Sequence, residues 1–133
     1  MPTTPAPSPI APARSSPSRA WFFWPGWMMA ALILVGCWLP SNRLPASETV
    51  PHVPHADKLV HFAMFASFGL VAAWGGRRRA TLMLGVILAI VSELGQSTAW
   101  VGRDASVADA AADLIGLLSG IALAWLATRR FRA

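Results

Sequence analysis

The sequence predicts an all-α membrane protein in which four transmembrane helices form an antiparallel bundle with both termini in the cytoplasm. Three observations predict it. Four long apolar runs alternate with polar stretches. The chain is 55% hydrophobic and only 13% charged, against roughly 25% charged residues in a typical soluble domain. Its basic residues collect at alternate ends of the runs, as membrane topology requires. At 133 residues the chain is one domain in size, and a soluble fold that small has too little interior to hide this much apolar side chain. The net charge of +5 would suit a nucleic-acid partner. The basic residues border apolar runs, however, and interleave with no aromatic stacking platform, which argues against nucleic acid.

Residues 1–20 set Pro2, Pro5, Pro7, Pro9, Pro12 and Pro17 among Ser, Thr and Ala, with Arg14 and Arg19 as the only charges. Such a stretch cannot bury a core and is expected to be a disordered cytoplasmic tail. Residues 21–39 form the first predicted span. Its 19 uncharged residues come close to crossing a hydrocarbon core of about 30 Å at about 1.5 Å each. Pro25 sits in the first turns, where Pro is tolerated. Trp21, Trp24, Trp27 and Trp38 lie towards the two ends, as interfacial aromatics do, and Pro40 ends the run. Leu34-Val35-Gly36-Cys37 also resembles a bacterial lipobox, which would make Cys37 a lipidated N-terminus. The apolar run continues past it to Leu39, as it would around a buried structural cysteine. Cys37 is the single cysteine, so no intramolecular disulfide can form.

A Pro-rich polar loop covers 41–56. Further spans are expected at 59–74, 80–100 and 109–127, which makes 21–128 the membrane domain and 129–133 a basic cytoplasmic tail. A tight basic turn, 75–79, joins the second and third spans. The N-terminal tail, this turn and the C-terminus hold eight Lys/Arg and no acid, whereas Arg43, Lys58 and Arg103 share the other side with the acidic residues. The positive-inside rule then places both termini in the cytoplasm.

That orientation brings the unusual polar groups into one layer near the outer face. Asp57, Lys58 and His61 open the second helix, and Glu93 and Gln96 come late in the third. Arg103, Asp104 and Ser106 occupy the outer loop, and Asp109 and Asp113 open the fourth helix. Asp57 either N-caps its helix or joins a site. Lys58 either snorkels to the interface or holds a ligand. His61 shares a face with Asp57 at i+4, either hydrogen-bonded in place or as part of a site. Ser106-Val-Ala-Asp109 matches a capping box, so Ser106 and Asp109 are read as structural. Glu93 lies about 20 Å into its helix by helical rise, towards the end where the dipole disfavours an anion. At an insertion cost of roughly 3 kcal/mol an idle carboxylate is not expected there. Glu93 either pairs with Lys58, His61 or Arg103 or belongs to a functional site, with Gln96 on its face at i+3. Asp113 is expected to pair with Arg103. Its face continues into Gly116-Leu-Leu-Ser-Gly120, a GxxxG pattern for close helix approach within the bundle or against a second copy. Neither metal nor cofactor is expected. His52 and His55, and His61 with Glu93 or Asp57, are the possible ligands, but His52 and His55 are separated by Pro54 outside any helix, and no phosphate loop, Ser nucleophile elbow or CxxC is present.

Taken in order, Asp57-Lys58-x-x-His61-Phe62-x-x-Phe65-x-x-x-Gly69, Glu93-x-x-Gln96 and Gly102-Arg103-x-x-Ser106-x-x-Asp109-x-x-x-Asp113-x-x-Gly116 resemble the VanZ-like family of small bacterial four-helix membrane proteins. The resemblance covers roughly residues 25–127. It departs at Phe65, where the family has Tyr, and at Asp113, where it has Asn. It implies a multi-pass protein of the bacterial inner membrane. The family takes its name from a protein associated with low-level resistance to the glycopeptide teicoplanin. Three functions are then expected to compete. One is an envelope accessory protein whose outer polar layer binds a lipid-linked or cell-wall-related anionic group through Lys58 and Arg103. The second is a small membrane enzyme using Glu93 and His61 as an acid/base pair. The third is a packing or assembly subunit with no ligand.

Overall fold

The computed structural model describes residues 23–39, 55–74, 76–98, 100–101 and 106–130. The predicted tail at 1–20, the 41–54 part of the first loop, Arg103 and Asp104 lie outside them. The described chain is all-helical, with α1 at Phe23–Cys37, α2 at Ala56–Ala73, α3 at Arg78–Gln96 and α4 at Val107–Arg130. The helices α2, α3 and α4 are long and apolar enough to cross a membrane. The helix α1 is shorter than its predicted span, 15 residues in place of 19, or about 22 Å by helical rise. It leaves helical geometry after Cys37, just ahead of Pro40, whose ring disfavours helix in the residue before it.

The other boundaries also shift for local reasons. The expected third span ran to residue 100, yet α3 stops at Gln96. There the hydroxyls of Ser97 and Thr98 donate back to the carbonyls of Leu94 and Gly95, and such short side chains compete with helix continuation. Conversely, α4 outlasts its apolar run by three residues, to Arg130. Arg129 and Arg130 sit in its last turn, where cations oppose the negative end of the helix dipole. Arg129 and Arg78 both lie over the Trp125 ring, at 4.4 and 5.8 Å from its centroid, tying the ends of α3 and α4 together through cation–π contacts.

The closest helix pair is α2 with α4, and these two run parallel. Gly116 and Gly120 face the backbone of Phe62 and Ala66, and Gly69 faces the backbone of Leu117. A Cβ at Gly120 would fall on the Ala66 carbonyl, so only glycine permits this approach. The GxxxG face is therefore closed inside the chain, and a second copy could reach it only if α2 moved away. Beside this seam Ile33, Cys37, Phe65, Phe68, Leu88, Ala89 and Leu117 form the buried core. Cys37 is 3% exposed, the setting of a structural cysteine. Much of the remaining apolar surface faces outwards, including Leu59, Met83, Ile87, Ile115 and Leu126. Exposed apolar surface on this scale suits a bilayer far better than water.

The contacts leave two chemically distinct ends. One carries Arg77, Arg78, Arg129 and Arg130, and the other carries Asp57, Lys58, Glu93 and Asp109.

Candidate functional site

The polar groups of α2, α3 and α4 meet at the acidic end. Their meeting follows from the glycine seam, which brings α4 so close to α2 that His61 and Asp113 share one buried layer. His61 Nδ1 and Asp113 Oδ1 are 2.9 Å apart, with Asp113 fully buried and His61 7% exposed. With Asp113 ionised, Nδ1 donates the hydrogen bond. That leaves Nε2 as an acceptor facing the Gln96 side-chain amide at 3.4 Å. Gln96 is itself 2% exposed. A single histidine thus bridges α4 and α3 from its place on α2.

Glu93 reaches the layer from α3. Its Oε2 accepts the backbone N–H of Ser106 at 2.9 Å. Ser106 precedes α4, and its Oγ accepts the Asp109 N–H at 3.3 Å. Ser106 therefore caps α4 as its spacing predicts. The reciprocal half of the capping box comes from Glu93 on α3. Asp109, expected to fill that role, turns to Lys58 instead, with its Oδ1 3.2 Å from Nζ. Lys58 is held from the other side by Asp57 at 2.7 Å.

Several expectations are corrected by this geometry. Asp57 does not cap α2. The N-cap is His55, in a left-handed backbone conformation without a side-chain cap bond, and Asp57 lies exposed in the first turn. Among the described residues Asp57 touches the layer only through Lys58, and His61 turns to Asp113. Asp113 pairs with His61, because its position on α4 faces α2 and is fully buried; the expected pairing with Arg103 lies outside the described residues. Of the predicted site residues, Lys58, His61, Glu93, Gln96 and Asp113 come together with Asp109 and Ser106, while Asp57 stays at the rim. The contribution of Asp109 was missed because its capping-box spacing accounted for it. Its signal was the pairing of two acids at i+4 at the end where Lys58 also lies.

Three oxygens in this layer have no hydrogen-bond partner among the described residues, Asp113 Oδ2, Glu93 Oε1 and Asp109 Oδ1, all shut off from solvent. Asp109 Oδ1 still faces the Lys58 ammonium at 3.2 Å, which leaves Asp113 Oδ2 and Glu93 Oε1 unmet. A buried acceptor left unmet costs about 1–3 kcal/mol. One ligand atom from each of His61, Glu93 and Asp113 falls within 4.8 Å of the others. The layer is also unbalanced in charge, with Asp57, Glu93, Asp109 and Asp113 against Lys58 and a neutral or protonated His61. An apolar cavity of about 390 Å³ among α1, α2 and α3, lined by Gly26, Leu34, Phe68, Thr81 and Leu88 among others, includes none of these groups. Its one charged lining residue is Arg77, which belongs to the basic end, away from the acidic layer.

No family model, no curated protein and no solved structure matches the chain.

Proposed function

We propose that the chain is a VanZ-like integral membrane protein of the bacterial envelope with four spans in an antiparallel bundle and both termini in the cytoplasm. In this reading the polar layer near the outer face binds a polar group carried by a lipid-linked or cell-wall-related component. The observation that carries it is Asp113, fully buried in an apolar chain with one oxygen unmet. A packing role alone would be served by the His61 bond, without two further acceptors left open beside it. The orientation rests on the division of Lys/Arg residues between the two ends. The first span rests on α1 together with the apolar residues that flank it.

The layer's acidity refines the ligand. Lys58 is already shared between Asp57 and Asp109, so the layer directly suits a group that donates hydrogen bonds, such as a hydroxyl or an ammonium. An anion would rely on Arg103 from the outer loop or on a bridging cation. The membrane-enzyme reading is favoured by one observation, the carboxylate-oriented imidazole of His61. Its Nε2, however, faces an amide rather than a hydroxyl or thiol nucleophile.

Glu93→Gln tests the proposal cleanly. The Gln carbonyl can still accept the Ser106 N–H, so α4 keeps its cap while the layer loses a charge. Membrane level and topology should match wild type, and the envelope phenotype of a deletion strain, scored by glycopeptide susceptibility, should not be complemented. Full complementation by Glu93→Gln and by Arg103→Ala would reduce the layer to helix packing.

A further inference from the structure

Resting on the reading of the polar layer as a binding site, we infer that His61, Glu93 and Asp113 hold a divalent transition-metal ion between α2, α3 and α4. The three side chains come from three helices and bring one imidazole and two carboxylates together, with ligand atoms within 4.8 Å of one another. Ligand atoms bound at about 2.0–2.2 Å to one ion lie roughly 3.3–4.4 Å apart. His61 and Asp113, at 2.9 Å, need to part slightly, and the flexible Glu93 side chain needs a small inward movement. Mixed imidazole and carboxylate donors suit ions such as Zn²⁺ or Mn²⁺.

Three further features point to a cation rather than to chance proximity. Asp113 is fully buried and presents an oxygen with no hydrogen-bond partner among the described residues. Glu93 presents a second such oxygen. Two carboxylates in a hydrocarbon setting carry a charge that one divalent ion cancels, which offsets the cost of burying them. Lys58 cannot serve that purpose, since it is engaged by Asp57 and Asp109 at the rim.

Loading balances without a charge left over on the imidazole. The ion takes the place of the proton between His61 Nδ1 and Asp113. The displaced proton moves to Nε2, and the Gln96 amide, turned with its oxygen towards the ring, accepts the hydrogen bond from Nε2–H. Gln96 thereby becomes a positioning residue for the ligating nitrogen, the role an outer hydrogen-bond partner plays for a metal-bound histidine. The ion keeps open coordination positions towards the outer end. There it can meet an anionic head group that the acidic layer alone would repel.

The test is Zn²⁺ binding to the chelator-stripped, full-length protein in detergent, by equilibrium dialysis with elemental analysis. Wild type should take up one ion per chain. A His52→Ala/His55→Ala variant should do the same, which separates the layer from loop histidines. Glu93→Gln and Asp113→Asn, checked for wild-type helicity and thermal unfolding, should each lose more affinity than the roughly 10- to 100-fold that follows removal of a ligand's hydrogen-bond partner. Stoichiometric binding that survives in Glu93→Gln and Asp113→Asn, or that disappears with the loop histidines, overturns the inference. So does the absence of binding by wild type at Zn²⁺ well above the protein concentration. If an envelope component co-purifies with stripped wild-type protein that binds no ion, the proposed function stands and the metal falls. If the ion binds and no component co-purifies, the metal stands and the proposed function falls.

Discussion

Glu93 holds two jobs at once. Its Oε2 accepts the first N–H of the α4 cap from a neighbouring helix, which gives a carboxylate deep in α3 a structural purpose. Its Oε1 remains unmet, which that purpose does not explain. Asp113 is divided in the same way, one oxygen on His61 and one with no partner. The energetics of the pair follow from burial. Removing one member strands the other charge in a low-dielectric layer, while replacing both with apolar groups restores packing. His61→Leu should therefore lower stability in detergent by about 3 kcal/mol, and His61→Leu/Asp113→Leu should recover most of that loss. Thermal unfolding of the two variants checks this. Losses from His61→Leu and Asp113→Leu that simply add in the double variant would mean that His61 and Asp113 act independently. At this scale, residue types were legible in sequence, and partners were not. Asp57, Lys58, His61, Glu93, Gln96 and Asp113 all announced themselves as polar groups in or beside apolar runs. Which of them touch depends on how closely α4 approaches α2, and no spacing along one helix encodes that distance.

The α2–α4 seam is the element on which the site depends. Small residues at Gly69, Gly116 and Gly120 let two parallel helices approach to backbone contact, and the polar layer lies at one end of that contact. In the sequence Gly116 and Gly120 were legible as a close-packing face. Nothing along α4 said whether the partner was α2 or a second copy, because a glycine face is complementary to any small-residue surface. The contact predicts a specific sensitivity. Gly120→Leu places a side chain against the Ala66 carbonyl, and overpacking of this kind costs about 1–3 kcal/mol or more. The expected result is a lower unfolding temperature together with loss of ligand, with no change in oligomeric state by light scattering. A shift from dimer to monomer with unchanged unfolding would instead assign the glycines to a contact between chains. Helix ends followed local chemistry that the apolar runs obscured. The Ser97 and Thr98 back-bonds cut α3 short, and the arginines extended α4.

For the whole molecule, composition and apolar runs made an all-helical chain with membrane-spanning segments readable from the start. Three of the four helices have the length and apolar character to span. The direction of insertion is a property of charge outside the spans and is tested outside them. If both termini lie in the cytoplasm as proposed, a green fluorescent protein fused after residue 133 should fluoresce, and alkaline phosphatase fused at the same place should be inactive. The reverse pattern would put the acidic layer on the cytoplasmic side and remove its access to envelope components. The measurement that bears most directly on the central claim is mass spectrometry of the lipids and lipid-linked species that co-purify with wild type and with Glu93→Gln. A species enriched with wild type and missing from an equally folded Glu93→Gln is the result predicted for a binding layer. Identical bound species in the two proteins would contradict it.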